Sequence, residues 1–245
     1  MVSLASASKD IQYIVRIQQP GPPEFVVEAR LPAQESDAVV FMPSWNPGSY
    51  LIREFARQVM GLVAQTADGV VYRVEKIAKN RWHIVGSAGQ ALTLTYRVYA
   101  HEWSVRTNWV DDQFALLNGA ATFLLPKDPE RFGYRIWVKP TADLAWRVDC
   151  ALPRKEDGSF YAADFRSLVD SPVLAGRPSE EVLEVSGIRH WLLSYGASVR
   201  LPSKVAEDVA KLVRTQHDFW GSCPYSEYII FNILGDKGSG GLEHA

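Results

Sequence analysis

The first two-thirds of the chain consists of short segments in which hydrophobic and polar residues alternate. In residues 92–99 every second side chain is apolar and those between them are mostly polar. This period of two is typical of a half-buried antiparallel strand, because successive side chains of a strand point to opposite faces. The same alternation occurs in residues 11–17, 25–31 and 134–138, and turn-forming Gly, Pro and Asp residues separate the segments. The pattern predicts an antiparallel β-sandwich.

The pattern changes after a stretch with proline and glycine at residues 170–178, which we take as a domain boundary. Residues 188–195 are a predicted strand. Residues 203–220 have the apolar spacing of an amphipathic helix, and the strongly apolar run 228–234 predicts a buried strand. A strand, a helix and a second strand in this order are the opening of an α+β or α/β domain.

Together these patterns predict a mainly β chain in two parts. We expect an N-terminal β-sandwich domain over residues 1–172 and the incomplete beginning of a second domain over residues 173–245.

Composition and charge exclude some classes of partner. Twenty-six basic and 28 acidic side chains give a formal charge of -2, so we expect no nucleic-acid partner. The N-terminus lacks a basic start followed by a long apolar stretch, so we expect no signal peptide and no membrane partner. Cys150 and Cys223 match no metal-ligand spacing; of the two interpretations, one disulfide or two ordinary buried thiols, we favour the thiols. A cytoplasmic protein is the expectation.

The first stretch that could carry chemistry is a tight turn predicted over residues 46–49. Pro47 fixes φ and Gly48 permits a positive φ, and Trp45 and Tyr50 are expected to pack around them. One interpretation is an aromatic corner that anchors the sandwich. The other is that Tyr50 and Arg53 project toward a ligand or a neighbouring domain.

A second stretch, residues 97–113, mixes aromatic, basic and acidic side chains. Asp111 and Asp112 are adjacent and would point to opposite faces of a strand, so they could pair as catalytic carboxylates only if the segment is a loop. One interpretation is an ion pair between Arg106 and a carboxylate that stabilises a long loop. The alternative is that this loop is a wall of a substrate cleft.

The histidine spacing predicts no metal site within this chain. The five histidines lack H-x-x-x-H and H-x-H spacing, and the glycine-rich stretch 235–241 is not a phosphate-binding loop motif. The last stretch places two glycines, an apolar residue and the single carboxylate Glu243 directly after an apolar run. Glycines there would allow another backbone to approach closely.

Taken together, these stretches resemble the glycyl aminopeptidase family of zinc metallopeptidases. The resemblance rests on four segments in the family's order: residues 45–53, 99–112, 170–172 and 240–244. It implies that a gluzincin, thermolysin-like catalytic domain follows an N-terminal β-rich domain, so that residues 173–245 would begin an α+β thermolysin-like domain. It also implies a zinc site made of an H-E-x-x-H helix and a downstream Glu, located after Ala245.

The resemblance has consequences for function. With no catalytic residue and no metal ligand in this chain, we expect it to bind no cofactor and to be inactive alone, and expect zinc in the full-length enzyme. That enzyme would remove N-terminal residues, with a Gly or Ala preference, from peptide substrates. The alternative function is a non-catalytic β-sandwich module that binds a protein or peptide partner.

The resemblance also implies which residues contact substrate. The expected substrate-binding residues are Gly240, Gly241, Leu242, Glu243 and His244. This motif would lie along a bound peptide, and the Glu243 carboxylate would bind its free α-ammonium group. The alternative is a structural Glu243 paired with Arg or Lys. Tyr50, Arg53 and Arg106 are candidate cleft-wall residues, and we expect self-association through the C-terminal region, whose apolar faces would otherwise be exposed.

Overall fold

The computed structural model describes residues 10–196, 202–235 and 240–244, and β-strands form most of the regular structure. The strands are β1 (Ile11–Ile17), β2 (Glu24–Leu31), β3 (Val39–Phe41), β4 (Val59–Gln65), β5 (Val71–Ala78), β6 (Arg81–Val85), β7 (Leu92–Tyr99), β8 (Trp109–Val110), β9 (Phe114–Leu117), β10 (Leu125–Pro126), β11 (Tyr134–Pro140), β12 (Arg147–Cys150), β13 (Phe160–Ala162), β14 (Val173–Gly176), β15 (Ser179–Val185), β16 (Ile188–Gly196) and β17 (Glu227–Leu234). The helices are α1 (Gly119–Thr122), α2 (Phe165–Val169) and α3 (Ser203–Trp220), with 3-10 helices at Phe55–Gln58, Pro129–Arg131 and Ala142–Leu144. The predicted mainly β fold is confirmed.

The strands of the described residues form three sheets. The largest has the order β10-β3-β6-β5-β4-β7-β2-β1-β11-β13, the second β12-β14-β9-β8 and the third β15-β16-β17. Adjacent strands are antiparallel in the first two sheets, except that β1 and β11 are parallel, with Ile11 opposite Tyr134. The prediction of antiparallel pairing therefore fails at β1–β11, because local alternation does not determine which distant strand becomes a neighbour.

One hydrophobic core is shared by the ten-stranded and four-stranded sheets. The face predicted for β1 is confirmed, because its members are each at most 1% exposed: Ile11, Tyr13, Val15 and Ile17. From the second sheet, Val110, Leu117 and Val173 join the same cluster. The buried Tyr13 hydroxyl donates a hydrogen bond of 2.6 Å to the Leu124 carbonyl, so this polar atom has a partner inside the core. Two sheets over one core give a sandwich-like arrangement.

The three-stranded sheet packs on the other side of the four-stranded sheet. Phe114 and Leu174 from the second sheet meet Leu193 and Tyr195 of β16 in a separate buried cluster. The Tyr195 hydroxyl donates a hydrogen bond of 2.5 Å to Asp149 on β12. The four-stranded sheet is thus the middle layer, and both of its faces are covered.

The predicted domain boundary, after residue 172, lies directly before the strand β14. That strand pairs with β9 and β12 and belongs to the four-stranded sheet. The boundary between residues 172 and 173 stays a prediction.

The elements predicted after the boundary occur, with one difference in burial. The strand β16 and the helix α3 cover the predicted residues 188–195 and 203–220. The prediction that residues 228–234 form a buried strand is wrong, since every residue of β17 is exposed or half-buried. In the described part of the chain β17 pairs only with β16, in parallel, and so lies at a sheet edge. An apolar run does not reveal how many neighbours its strand has.

Candidate functional site

The predicted tight turn at residues 46–49 is confirmed. The Ser49 amide donates to the Asn46 carbonyl at 3.1 Å, and Gly48 has a φ of +76°, a conformation that favours glycine. The Trp45 indole Nε1 donates to the Ser49 carbonyl at 2.8 Å, which fixes the aromatic ring to the turn. The turn is therefore a rigid corner of the N-terminal part of the chain.

The residues that follow the turn do not all pack against it. The prediction that Tyr50 packs around the turn is wrong, because its side chain is 98% exposed; Leu51 and Ile52 are also exposed. The Arg53 side chain instead folds back and donates from Nε to the Ser49 hydroxyl at 3.0 Å. Arg53 also lines a shallow pocket of about 190 Å³ together with the Arg57–Glu102 ion pair. Tyr50 is outside the lining of this pocket.

The loop between β7 and β8, the Arg106 loop, approaches the same turn. Arg106 donates from Nη2 to the Gly48 carbonyl at 3.3 Å. The prediction that Arg106 pairs with a carboxylate is wrong, since no carboxylate pairs with it in the described part of the chain. Among the same residues, the Nε atom of Arg106 is buried without a hydrogen-bond partner. Spacing along the sequence could not indicate that a distant carbonyl, not a carboxylate, accepts its hydrogen bond.

The neighbouring Asp111 stabilises the turn that follows β8. Asp111 and Asp112 lie in the turn between β8 and β9, not on a strand. Asp111 Oδ1 accepts from the Phe114 amide at 2.9 Å, and its Oδ2 accepts from the Trp109 indole at 3.0 Å. Asp111 therefore closes the turn, as is common for aspartate at such positions.

Residues 240–244 lie against these loops without belonging to a described strand. Leu242 is half-buried, and its side chain occupies the space that a Cβ atom on Gly48 would need. His244 Nδ1 lies 2.9 Å from Asp170 Oδ1, at the end of α2. Gly240 lies beside Val105, since a Cβ atom there would be 3.8 Å from Val105 Cγ1. Glu243 is exposed.

The structure thus brings together four stretches singled out from the sequence: the turn, the Arg106 loop, Asp170 and residues 240–244. The Tyr50 side chain, which directly follows the turn, is exposed to solvent. Sequence reasoning missed two partners, Gly48 for Leu242 and Asp170 for His244. Both lay within stretches already noted, but no spacing rule connects residues so far apart in the chain.

The described residues do not fit a zinc site. Within residues 10–196, 202–235 and 240–244, no group of three or more His, Cys, Asp or Glu side chains is arranged to hold a metal ion.

In the same described residues, no helix has the length and apolar character needed to cross a membrane.

Comparison with known proteins identifies the family. Residues 12–177, more than half of the chain, match the peptidase M61 N-terminal domain. The chain belongs to this family. The peptidase M61 N-terminal domain of this chain thus contains the turn, the Arg106 loop and Asp170, whereas residues 240–244 lie beyond the matched region. The comparison with curated proteins gives no match.

Solved structures show the same fold in longer proteins. An aminopeptidase N family protein from Idiomarina loihiensis superposes with a TM-score of 0.90 and 28% sequence identity, covering 96% of this chain and 40% of that protein. An M1 zinc metallopeptidase from Deinococcus radiodurans superposes with a TM-score of 0.51 at 14% identity, covering 91% of this chain and 56% of that one. The second likeness concerns the fold alone. The chain spans about two fifths of the first protein's length and about half of the second's.

Proposed function

We propose that this chain is the N-terminal part of a zinc-dependent aminopeptidase. Its membership of the peptidase M61 N-terminal domain family supports this, as does its similarity to the Idiomarina protein, described as aminopeptidase N family. Because the chain covers 40% of that protein, the proposal includes a longer parent chain. A non-catalytic binding module is not favoured by these similarities.

The observation that carries the proposal is the exposed Glu243 on a segment held against the N-terminal domain. A peptide backbone can lie along an extended segment with glycines, and a carboxylate at its end can accept charge-assisted hydrogen bonds from an α-ammonium group. The exposure of Glu243 leaves its carboxylate accessible to such a group.

We assign Gly240, Gly241, Leu242, Glu243 and His244 to this substrate-binding segment. Among the candidate wall residues, Arg106 holds the turn at Gly48, Arg53 braces it through Ser49, and the exposed Tyr50 is free to contact a peptide. Their shared task is to orient a substrate beside Glu243.

The metal chemistry of such an enzyme belongs to other residues. We propose that the zinc ligands, in an H-E-x-x-H motif, lie in the sequence that follows Ala245 in the parent chain. When bound, zinc supplies Lewis-acid activation of the attacked peptide bond. The present chain alone would bind no zinc there and would be inactive. Its own residues would hold and orient the peptide amino terminus.

The finer features of the proposal come from the family resemblance. They are a gluzincin catalytic domain beginning near residue 173 and a Gly or Ala preference at the substrate amino terminus. Independently of the family, we propose a cytoplasmic location. Two free cysteines, Cys150 and Cys223, fit that compartment. We further propose that the chain self-associates through α3 and β17, whose apolar side chains are partly exposed.

The test begins with the parent open reading frame. We expect an H-E-x-x-H motif within about a hundred residues after Ala245. The purified parent should hydrolyse aminoacyl reporter substrates, a chelator should abolish the activity, and zinc should restore it. The 245-residue chain, assayed with zinc, serves as the inactive control. A parent without the motif, or zinc-dependent turnover by the 245-residue chain, would contradict the proposal.

A further inference from the structure

Exposed and half-buried residues alternate along residues 241–244. Leu242 and His244 are half-buried, whereas Gly241 and Glu243 are exposed. Leu242 and His244 both contact the N-terminal domain, through Gly48 and Asp170. Glu243, which lies between them, is exposed, so its side chain is on the solvent side of the segment.

The first contact on that side is between Leu242 and Gly48. The glycine has no side chain, and the Leu242 side chain fills the position of its missing Cβ atom. Gly48 is held in place, since Arg106 donates to its carbonyl and the adjoining turn is closed by the Ser49–Asn46 hydrogen bond. The notch that receives Leu242 is therefore a fixed feature of the domain.

The second contact is between His244 and Asp170. Asp170 is 8% exposed and ends α2, where its amide donates to the Arg166 carbonyl at 3.0 Å. Its Oδ1 lies 2.9 Å from Nδ1 of His244. Burial and the helix hydrogen bond of its amide thus hold Asp170 where its carboxylate meets His244.

We propose that Leu242 and His244 are positioning residues that lock the register of the substrate-binding segment onto the N-terminal domain, through Gly48 and Asp170. Two contacts on either side of Glu243 fix both its place along the segment and the direction of its side chain. The N-terminal domain would thereby determine where the α-ammonium group of a substrate binds. This inference rests on the proposed function of Glu243.

The anchoring is tested on the 245-residue chain by limited digestion with a Glu-specific protease. Cleavage after Glu243 requires the segment to leave the domain, so Asp170→Ala and Leu242→Ala should each accelerate that cleavage about tenfold or more, in line with the loss of a local contact. Cleavage after Glu156, in an exposed turn, is the internal control. Asp164→Ala is the matched variant, because Asp164 caps the other end of α2 through the Ser167 amide and does not contact His244. Equal rates in all four proteins would overturn the anchoring.

The positioning role is tested in the active parent chain. Asp170→Ala should lower kcat/KM on a peptide with a free amino terminus by about 10- to 100-fold. Asp170→Asn, which keeps a hydrogen-bond acceptor for His244, should retain most of the activity, as should Asp164→Ala. In a parent enzyme that already carries Glu243→Gln, adding Asp170→Ala should change kcat/KM by less than about twofold, because Asp170 acts through Glu243. Additive losses would overturn the positioning role.

The two tests separate this inference from the proposed function. A parent without aminopeptidase activity would refute the proposed function, whereas the digestion experiment would still report on the two contacts. An active parent in which Asp170→Ala has no effect would refute the inference alone.

Discussion

The side chain of Leu242 occupies the position that a Cβ atom of Gly48 would take. Gly48 also has a φ of +76°, so two independent constraints exclude a side chain at this residue. The contact joins the turn predicted from Pro47 and Gly48 to the segment that carries Glu243.

Gly48→Ala should therefore destabilise the chain more than the backbone conformation alone requires. A non-glycine residue in the left-handed region costs about 1–2 kcal/mol, and displacing Leu242 adds to this. Gly69→Ala is the matched control, because Gly69 has a φ of +88° and nothing within 4 Å of its added Cβ. Urea denaturation should show a larger loss for Gly48→Ala, and Leu242→Ala should remove the difference. Equal losses for the two glycine variants would contradict the contact.

A partly buried hydrogen-bonded cluster connects the helix α3 to the strand β16. The Tyr225 hydroxyl lies 3.1 Å from Nε2 of His190 and 3.0 Å from Nε2 of His217. Burial, followed by a hydrogen bond with the Cys223 side chain, raises the pKa of Tyr225 to about 12, so the hydroxyl stays protonated. It can donate to one histidine and accept from the other.

Tyr225→Phe should lower the free energy of unfolding by about 1–3 kcal/mol, because both histidines lose a partner in a partly buried site. Tyr50→Phe is the control, since the Tyr50 ring is 98% exposed and its change should be within about 0.5 kcal/mol. Thermal or urea denaturation of the two variants measures the difference. A Tyr225→Phe variant as stable as Tyr50→Phe would show that the hydroxyl contributes nothing.

The same cluster predicts an acid-sensitive stability. Burial, together with the neighbouring His217, lowers the pKa of His190 below its ordinary value, whereas in the unfolded chain this pKa is about 6.5. Below that pH the unfolded chain binds the proton more readily, so stability should fall as the pH drops from about 6.5 toward the lowered pKa of the folded state. Above about pH 6.5 this contribution is constant.

Urea denaturation between about pH 5 and pH 7.5 measures this slope, which for one group is at most about 1.4 kcal/mol per pH unit. His190→Gln should flatten it, even if the variant is less stable throughout. This pH range lies above the pH at which the carboxyl groups of Asp37, Asp157 and Asp164 titrate, because the pKa of each is lowered. An unchanged slope in His190→Gln would assign the pH effect elsewhere.

Exposed apolar side chains on α3 predict self-association. Leu212, Phe219 and Trp220 are 67%, 76% and 70% exposed. Leu212 and Phe219, seven residues apart, lie on one stripe of the helix, and the Trp220 ring contacts that of Phe219. Light scattering should show a mass that rises with concentration, and Leu212→Glu with Phe219→Glu should return it to that of one chain. Arg214→Glu, on an exposed residue of the same helix, is the charge-changing control. A monomeric wild-type chain at high concentration would contradict the prediction.

Local chemistry made part of this structure predictable. The alternation in β1 and β7, the spacing of α3 and the Pro47–Gly48 turn each depend on neighbouring residues, and each occurs where predicted. Contacts between distant stretches were not predictable, because no periodicity relates His244 to Asp170 or Arg106 to Gly48.

Burial was predictable only where the pattern determined it. The alternating residues of β1 reveal their inward face, but the uniform apolar run of β17 does not distinguish a central strand from an edge. The apolar body of Tyr50 suggested packing in the same way, and its ring lies in solvent. Glu243 was identified through family resemblance, while its outward direction depends on contacts that only the structure shows.

The most direct test of the account is the effect of Glu243→Gln on amino-terminal selectivity in the active parent enzyme. The glutamine keeps the size of the side chain and removes the charge that would bind an α-ammonium group. We expect kcat/KM to fall by about 100-fold on a peptide with a free amino terminus, the cost of leaving a bound charge unpaired, and to change little on the same peptide with an acetylated terminus. Equal losses on the two peptides would contradict the account and leave Glu243 a structural residue.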